Sequence, residues 1–313
     1  MDLNHLIRIK TPKISHFLLI MLFIIQPISS LSAKTTEIEN SHIKQVMLQS
    51  KITHQSYALS IYTPNQPAPK EGFPILYLLD GHLTFPLAQK IADNLINENQ
   101  IKPIIIVGID YTDQSQWINL RAQDYTPPHN TTITNDPFIK GEANGGGAPL
   151  FLSFINKELK PFIEQNFHVN QKQQAIFGHS YGGLFTLYTR FTQPDSFQYY
   201  YAASPSIWWD NKVIIQTVDQ FMRNTSPSSS IPKFIISVGS LEQTAPDNSP
   251  NERKQKLIKR KQVNNATVLA NQLNSATPDK LLTAFIIFPD QNHGTVIPLA
   301  IEQALMHFFK KSH

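Results

Sequence analysis

One hexapeptide constrains the fold of this chain more than any other segment: Gly178-His179-Ser180-Tyr181-Gly182-Gly183. It follows the apolar run 174–177 and precedes the helix-like run 184–188. A serine between a strand and a helix, with glycines on either side, indicates a tight turn that exposes the hydroxyl at the carboxyl end of the strand. The flanking residues must be small, because a Cβ at Gly178 or Gly182 would clash with the neighbouring backbone. Ser180 is therefore the candidate nucleophile.

The rest of the chain alternates between continuous apolar runs and helix-like stretches. Apolar runs without a polar alternation are typical of strands in a buried parallel sheet. They cover residues 74–79, 104–109, 174–177, 199–204, 234–239 and 282–288, and the predicted helices cover 87–97, 150–165, 184–192, 212–223, 253–273 and 299–310. Leading strands and a hairpin are predicted within residues 34–72. Together with the serine turn, this order predicts an α/β-hydrolase fold as one domain over residues 34–313, with a mostly parallel central sheet and helices on both faces.

Residues 1–33 have the pattern of a secretory signal peptide. A basic region with Arg8, Lys10 and Lys13 precedes the apolar run 17–25, and small residues follow. The apolar run is shorter than the about 20 residues of a membrane-spanning helix. We therefore expect cleavage after Ser32 or Ala33, a periplasmic protein, and no stable membrane insertion after cleavage. An uncleaved N-terminal anchor is the alternative.

Charge and composition exclude several classes of protein. Removing residues 1–33 takes away three basic side chains and Asp2, so the formal net charge falls from +4 to +2, which is not the basic footprint of a nucleic-acid-binding protein. We interpret the basic cluster in residues 254–261 as a solvated helix face. The chain has no cysteine, and no metal-binding, P-loop or dinucleotide motif is present. The sequence therefore predicts neither a metal nor a cofactor.

A serine hydroxyl needs a base to take its proton, and on this fold the base follows the serine in the chain. Only His293, His307 and His313 do so. His307 lies inside the predicted terminal helix and His313 is the last residue, whereas His293 follows the final predicted strand directly. His293 is therefore the candidate general base.

The acid that would orient His293 is expected after the penultimate strand. Glu242 stands there, in Gly239-Ser240-Leu241-Glu242-Gln243. Asp247 is the nearest competitor, and Asp210 and Asp290 are further ones. A serine–histidine pair without a third member stays open at this point.

Catalysis of acyl transfer also needs backbone N–H donors for the oxyanion of the tetrahedral intermediate. The amide of Tyr181, directly after the nucleophile, is the first expected donor. The second is expected from the turn over residues 79–82, at the amide of His82.

Several phrases of this sequence occur together, in this order, in one family. They are Tyr77-Leu78-Leu79-Asp80-Gly81, Val107-Gly108-Ile109, Arg121 with Asp124-Tyr125-Thr126-Pro127, the serine hexapeptide, Ser204-Pro205-Ser206-Ile207-Trp208-Trp209-Asp210, Val238-Gly239-Ser240-Leu241-Glu242-Gln243 and Asn292-His293-Gly294. Over residues 40–310 the chain resembles the esterase D-like α/β-hydrolases. Within them it is most similar to the siderophore-hydrolase branch of IroE-like and BesA-like enzymes.

The resemblance implies hydrolysis of ester bonds in catecholate trilactone siderophores of the enterobactin or salmochelin type. The implied partner is thus a small-molecule ester, including a ferric siderophore, and the implied compartment for IroE-like members is the periplasm. Some relatives use a serine–histidine dyad. Where relatives often have Gly-Glu-Leu-Glu, this chain has Gly239-Ser240-Leu241-Glu242, which keeps only the inner acid.

Three further side chains are candidates for substrate binding. The planar guanidinium of Arg121 can pair with an anionic catecholate and stack on its ring; the alternative is an internal salt bridge that fixes the Asp124 loop. Trp208 and Trp209 can stack on an aromatic substrate, and core packing is their alternative. A general carboxylesterase, an acyltransferase of the same fold and a non-catalytic periplasmic binding protein are the alternative functions.

Overall fold

The computed structural model describes residues 33–37, 42–129, 135–224, 232–275 and 282–311. The predicted signal peptide, residues 1–33, lies outside this part of the chain except for Ala33.

The described residues form one nine-stranded sheet in the order β1-β2-β3-β5-β4-β6-β7-β8-β9. Strands β4 to β9 are parallel to one another, and β1, β2 and β3 extend the sheet by antiparallel pairing. The strands are β1 (Ala33–Glu37), β2 (Ile43–Gln49), β3 (Ser56–Tyr62), β4 (Phe73–Leu79), β5 (Ile105–Tyr111), β6 (Val169–His179), β7 (Tyr199–Ala203), β8 (Lys233–Gly239) and β9 (Ala284–Phe288). The mostly parallel sheet predicted from the apolar runs is confirmed.

Helices cover both faces of this sheet. They are α1 (Gly81–Asn97), α2 (Trp117–Tyr125), α3 (Ala148–Phe154), α4 (Lys160–Asn166), α5 (Tyr181–Thr192), α6 (Trp209–Asn224), α7 (Asn251–Arg260), α8 (Gln262–Ser275) and α9 (Val296–Phe309). Successive side chains of a strand point to opposite faces of the sheet, so β4 contributes side chains to the hydrophobic core on each face. Ile75, Tyr77 and Leu79 pack with α2, α3, α5, α6 and α8, and Leu76 and Leu78 pack with α1 and α9.

Several helices differ from the predicted ones, and α1 begins at Gly81, six residues before the predicted start. No helix is predicted from the sequence where α2 lies. The helix has few buried residues, so its sequence shows no apolar period that would indicate a helix. The predicted helix 253–273 divides at Lys261, whose left-handed backbone (φ 46°) ends α7. The predicted helix 150–165 contains a π-helical turn, Ile155–Leu159, between α3 and α4.

Across the described residues, no helix has both the length and the apolar character that spanning a bilayer requires.

Candidate active site

Ser180 lies at the turn between β6 and α5, at the carboxyl end of β6. Its backbone has φ 61° and ψ −116°, a conformation that is strained for a residue with a side chain and that occurs at functional turns. The amide of Ser180 donates to the carbonyl of Ala203 (3.0 Å), and the carbonyl of Ser180 accepts from the amide of Ser206 (3.1 Å). These bonds to the end of β7 and to the segment after it hold the turn, so the predicted strand–serine–helix arrangement is present.

The glycines around Ser180 are required to different degrees. A Cβ on Gly178 would lie 2.1 Å from the carbonyl oxygen of Gly182, and one on Gly183 would lie 2.6 Å from the carbonyl oxygen of Ala203. A Cβ on Gly182 would instead meet the Leu79 side chain at 3.3 Å. The predicted backbone clash is therefore correct for Gly178 and wrong for Gly182, and Gly183 is the second position where the turn excludes a side chain.

His293 lies in the loop between β9 and α9 and pairs with Glu242. The distance from His293 Nδ1 to Glu242 Oε2 is 2.6 Å. When Nδ1 donates its proton to this carboxylate, the other ring nitrogen, Nε2, keeps a lone pair and can accept a proton. The geometry thus brings the predicted base and the predicted acid together.

Glu242 is buried and is held by hydrogen bonds to its neighbours. Its side chain has no solvent exposure, whereas that of His293 is 46% exposed. The second carboxylate oxygen, Oε1, accepts hydrogen bonds from the hydroxyl of Ser204 (2.5 Å) and from the amide of Gly239 (2.7 Å). Both oxygens of this buried carboxylate are therefore hydrogen-bonded, which fixes the orientation of the side chain. Of its predicted competitors, Asp210 lies 3.4 Å from His129 instead.

His179, which precedes the nucleophile, packs against His293 with ring centroids 4.4 Å apart. Burial, followed by the nearby positive charges of His293 and Arg121, holds the pKa of His179 well below its usual range. A neutral imidazole beside His293 supports the position of that ring without adding a fixed charge.

Ser180, Glu242 and His293 line the same open cleft, whose volume is about 490 Å³. Ser206 lines it as well, and its Oγ lies 3.4 Å from Ser180 Oγ. Sequence reasoning did not select Ser206 as a site residue. The sequence pattern that could have indicated Ser206 is Ser204-Pro205-Ser206, because this segment directly follows the strand beside the serine turn.

The two expected oxyanion donors have different surroundings. Tyr181 is the first residue of α5, and the first amides of a helix have no partner within the helix. The amide of His82, by contrast, donates to Asp110 Oδ2 at 2.8 Å, and the His82 ring contacts the same oxygen. The His82 prediction is therefore wrong, because a carboxylate on the next strand already occupies that amide.

Arg121 does not line the cleft. Its Nε and Nη2 donate to Asp80 Oδ1 and Oδ2, both at 2.8 Å, and its guanidinium lies 5.1 to 5.7 Å from the ring centroids of Trp117, Tyr125 and Tyr181. The substrate-clamp prediction is thus wrong, and the internal salt bridge is the arrangement found. The partner is Asp80, at the start of α1, and not a carboxylate of the Asp124 loop.

The two tryptophans separate into one cleft residue and one core residue. Trp208 lines the cleft. Trp209 is fully buried, and its Nε1 donates to Glu142 Oε2 at 2.6 Å. The predicted substrate contact is therefore wrong for Trp209, which fills the core. Glu142 also accepts a hydrogen bond from the Tyr181 hydroxyl, so the long loop before α3 is fastened to the first residue of α5.

The basic cluster of α7 is only partly the solvated helix face that the sequence pattern predicts. Lys256 and Arg260, together with Arg253, line the cleft beside Ser180. Lys254 and Lys259 point elsewhere: the Lys254 ammonium donates to the carbonyl of Asp247, and Lys259 Nζ lies 3.2 Å from Asp136 Oδ2. The sequence pattern could not show which side of α7 meets the cleft.

Within the part of the chain that the structure describes, no three His, Asp or Glu side chains are grouped as a metal ion would require. The cleft instead brings together a strained serine, an imidazole and a buried carboxylate. This set can transfer a proton from a hydroxyl to an imidazole and stabilise the resulting charge.

The sheet order, the flanking helices and the strained serine turn define an α/β-hydrolase. The particular family follows from the sequence itself, since the family model described as "Putative esterase" matches residues 50–276. The chain belongs to this esterase family and is therefore an ester hydrolase.

Relatives that bear names of siderophore esterases are similar over most of their length. The chain is 31% identical over 263 residues to the ferri-bacillibactin esterase BesA of Bacillus subtilis, covering 83% of this chain and 86% of the relative. It is 34% identical over 250 residues to a siderophore enterobactin esterase of Emericella nidulans, covering 74% and 80%. The crystal structure of the BES protein from Bacillus cereus superimposes with a TM-score of 0.72 at 30% identity, covering 89% of this chain and 100% of that one.

Proposed function

We propose that this protein is a serine esterase that uses Ser180, His293 and Glu242 as a catalytic triad to hydrolyse a catecholate siderophore ester. The observation that carries the proposal is the 2.6 Å pair between His293 Nδ1 and Glu242 Oε2 in the cleft that also contains Ser180. A carboxylate on Nδ1 fixes the tautomer in which Nε2 can act as the base.

In the first half of the reaction Ser180 Oγ attacks the ester carbonyl while His293 Nε2 takes its proton. The carbonyl oxygen becomes an oxyanion, to which the amide of Tyr181 donates. One such donor is worth about 3 kcal/mol of transition-state stabilisation. The C–O bond to the alcohol then breaks, His293 gives its proton to the departing oxygen, and an acyl group remains on Ser180.

In the second half a water molecule replaces the alcohol. His293 takes a proton from this water, whose oxygen attacks the acyl carbonyl, and the same proton then returns to Ser180 Oγ as the acid leaves. Glu242 stabilises the imidazolium in both halves. Its bonds to Ser204 and Gly239 keep it fixed during the proton transfers.

The substrate class is supported by the relatives and by the cleft. Two relatives with more than 30% identity bear names of siderophore esterases, for ferri-bacillibactin and for enterobactin. The cleft is open, and the indole of Trp208 forms part of its wall. An indole is a surface on which the aromatic ring of a catechol can stack.

Export is part of the proposal and rests on the sequence of residues 1–33. Mass spectrometry of the protein from a periplasmic extract tests it. A mature N-terminus at Ala33 or Lys34 supports export with cleavage, and an intact Met1 in the membrane fraction supports the anchored alternative.

The mechanism is tested with Ser180→Ala and His293→Ala on a p-nitrophenyl ester. We expect both to lose nearly all turnover, and full activity in Ser180→Ala would overturn the mechanism.

The substrate is tested by mass spectrometry of the products from iron-free and ferric trilactone siderophores. Turnover of simple acyl esters without any trilactone cleavage would make the protein a general carboxylesterase, and acyl transfer to an added alcohol in preference to water would make it an acyltransferase.

A further inference from the structure

Glu142 links the long loop between α2 and α3 to the first residue of α5. One carboxylate oxygen, Oε1, accepts a hydrogen bond from the Tyr181 hydroxyl, and the other, Oε2, accepts from the Trp209 indole at 2.6 Å. Glu142 is not among the side chains that line the cleft. Any effect of this carboxylate on the reaction is therefore transmitted by Tyr181, whose amide is the proposed oxyanion donor.

Two glycines of the loop allow this close approach. A Cβ on Gly141 would lie 2.7 Å from Cζ2 of Trp209, and one on Gly145 would lie 2.8 Å from the same atom. Positions without a side chain thus let the backbone of the loop lie directly against the indole. The amide of Gly145 also donates to the carbonyl of Glu142 at 2.9 Å, which closes a turn at this residue. The backbone itself therefore brings the carboxylate to its two donors.

The loop is also fixed on the N-terminal side of Glu142. The amide of Asn211 donates to the carbonyl of Ile139 at 3.2 Å, and Nε of Arg260 donates to the carbonyl of Phe138 at 3.0 Å. Asn211 is the middle of three successive residues with a left-handed backbone, with φ of 44°, 52° and 65°. Residues with side chains keep such a conformation only where the surrounding contacts hold it. Glu142 thus belongs to a segment that is fastened at both ends.

The Tyr181 side chain is held at its ring and at its hydroxyl. The ring centroid lies 5.9 Å from that of Trp208 and 5.2 Å from the guanidinium carbon of Arg121. Burial, followed by the negative charge of Glu142, raises the pKa of Tyr181 far above its ordinary value. The hydroxyl therefore keeps its proton and donates. Ring packing has little directionality, whereas a hydrogen bond to a carboxylate is short and directional, so Glu142 fixes the far end of the side chain.

We propose that Glu142 is a positioning residue for ester hydrolysis, because by holding the Tyr181 side chain it keeps the Tyr181 amide directed at the oxyanion. This inference rests on the proposed function for the roles of Ser180 and of that amide. The side chain and the amide of Tyr181 share one Cα, so a shift of the ring also turns the first peptide group of α5. An oxyanion donor acts only at about 2.7–3.1 Å from the oxyanion, and a displacement of about 1 Å can cost about a hundredfold in rate.

The first test is steady-state kinetics on a neutral p-nitrophenyl ester. Glu142→Ala removes both acceptor oxygens, and Tyr181→Phe removes only the hydroxyl. We expect each variant to lower kcat roughly tenfold and to leave KM within about twofold, because the bound ester uses the oxyanion donor fully only in the transition state. The double variant should be no slower than the slower single variant, since both changes break the same link. Glu142→Gln should recover most of kcat, because its oxygen can accept from the indole while its NH₂ group donates to the Tyr181 oxygen.

A matched control and an inhibitor separate positioning from a general loss of stability. In Asn144→Ala the loop loses the bond from Asn144 Nδ2 to the carbonyl of Asn119 (2.9 Å), which does not reach Tyr181. The inhibitor is a trifluoromethyl ketone: Ser180 Oγ adds to its carbonyl carbon, the serine proton passes to His293, and the carbonyl oxygen becomes an oxyanion. Its affinity should fall roughly tenfold in Glu142→Ala and in Tyr181→Phe, and should stay within about twofold in Asn144→Ala.

Two results would overturn the role of Glu142. One is wild-type kcat and ketone affinity in Tyr181→Phe, and the other is a loss of thermal stability in Glu142→Ala with kcat and ketone affinity unchanged. If Glu142→Ala does not fold, Tyr181→Phe decides alone, because it keeps the ring and its packing. Unchanged turnover in Ser180→Ala would instead overturn the proposed function. An inactive Ser180→Ala enzyme beside a fully active Tyr181→Phe enzyme removes only the role of Glu142.

Discussion

Arg121 and Asp80 form a bidentate ion pair, in which Nε and Nη2 of the arginine each lie 2.8 Å from one carboxylate oxygen. Asp80 is the residue before α1 and has a left-handed backbone (φ 54°). Its carboxylate also accepts from the Trp117 indole at 3.2 Å. The pair joins α2 to the turn after β4. Arg121, which the sequence suggests as a substrate-binding residue, therefore stabilises the fold.

Breaking this pair should destabilise the protein strongly. In Arg121→Ala the nearly buried Asp80 carboxylate loses its counter-charge, and removing one partner of a buried pair costs about 3–5 kcal/mol. Urea unfolding measures the change. Arg121→Lys, which keeps the charge and loses the second bond, should fall between the alanine variant and the wild type. If Arg121→Ala is instead as stable as the wild type and has a raised KM for anionic esters, Arg121 binds the substrate.

Neutralising Glu242 should lower kcat far more than it changes KM. Glu242→Gln keeps the shape of the side chain but no longer stabilises the imidazolium of His293, and the corresponding change in a well-studied serine protease costs about 10⁴ in kcat. Steady-state kinetics on a neutral p-nitrophenyl ester measures the loss. Asp247→Asn is the matched control, because Asp247 is exposed. Its kcat should stay within about twofold of the wild-type value. A Glu242→Gln enzyme with wild-type kcat would indicate that the serine and histidine act as a dyad.

Alanine substitutions at the serine turn should separate by position. Gly178→Ala places its Cβ 2.1 Å from a backbone oxygen, while Gly182→Ala places it 3.3 Å from the Leu79 side chain. Because a side chain can yield where a backbone oxygen cannot, we expect Gly182→Ala to fold with a loss of about 1–3 kcal/mol. Gly178→Ala should lose both folding and activity. Thermal unfolding and ester turnover of the two variants measure the difference, and equal stability would contradict the geometry.

Asp124 should make the stability of the protein decrease with rising pH. Burial raises its pKa to about 7, although the hydroxyls of Tyr57 and Tyr111 donate to it and act in the opposite direction. The folded state therefore holds this proton more tightly than the unfolded chain. The contribution is complete at low pH and is lost as the pH rises through about 7.

Asp124→Asn tests this dependence, because the amide is neutral at every pH. Relative to the wild type, the variant should gain about 2 kcal/mol of unfolding free energy between about pH 5 and about pH 8. Urea unfolding at the two pH values measures it. A difference between variant and wild type that does not change with pH would show that Asp124 is ionised throughout.

The sequence was sufficient to predict the sheet, the serine turn and the pairing partners at the end of the last strands. Continuous apolar runs mark buried strands, and strand ends in a parallel sheet gather at one edge, so His293 and Glu242 could be placed near Ser180. Such arguments depend on local pattern and chain order, which are both visible in one sequence.

The wrong predictions for the side chains of the site concern the choice of a partner across the fold. Asp110 occupies the His82 amide from 28 residues away, and Asp80 takes Arg121 from 41 residues away. Whether Trp208 or Trp209 faces the cleft, and which side of α7 does, depends on how elements pack after they form. Side-chain partners of this kind are set by tertiary structure and leave no periodicity in the chain.

The position of His293 in the chain also bears on when the proposed triad can assemble. Ser180 and Glu242 follow strands β6 and β8, whereas His293 follows β9, which pairs with β8 at the edge of the sheet. A nascent chain that has not yet emerged from the ribosome beyond residue 288 would thus have the proposed nucleophile and acid but not the proposed base. On this proposal, ester cleavage begins only after almost the whole polypeptide has been synthesised and its last strand has docked.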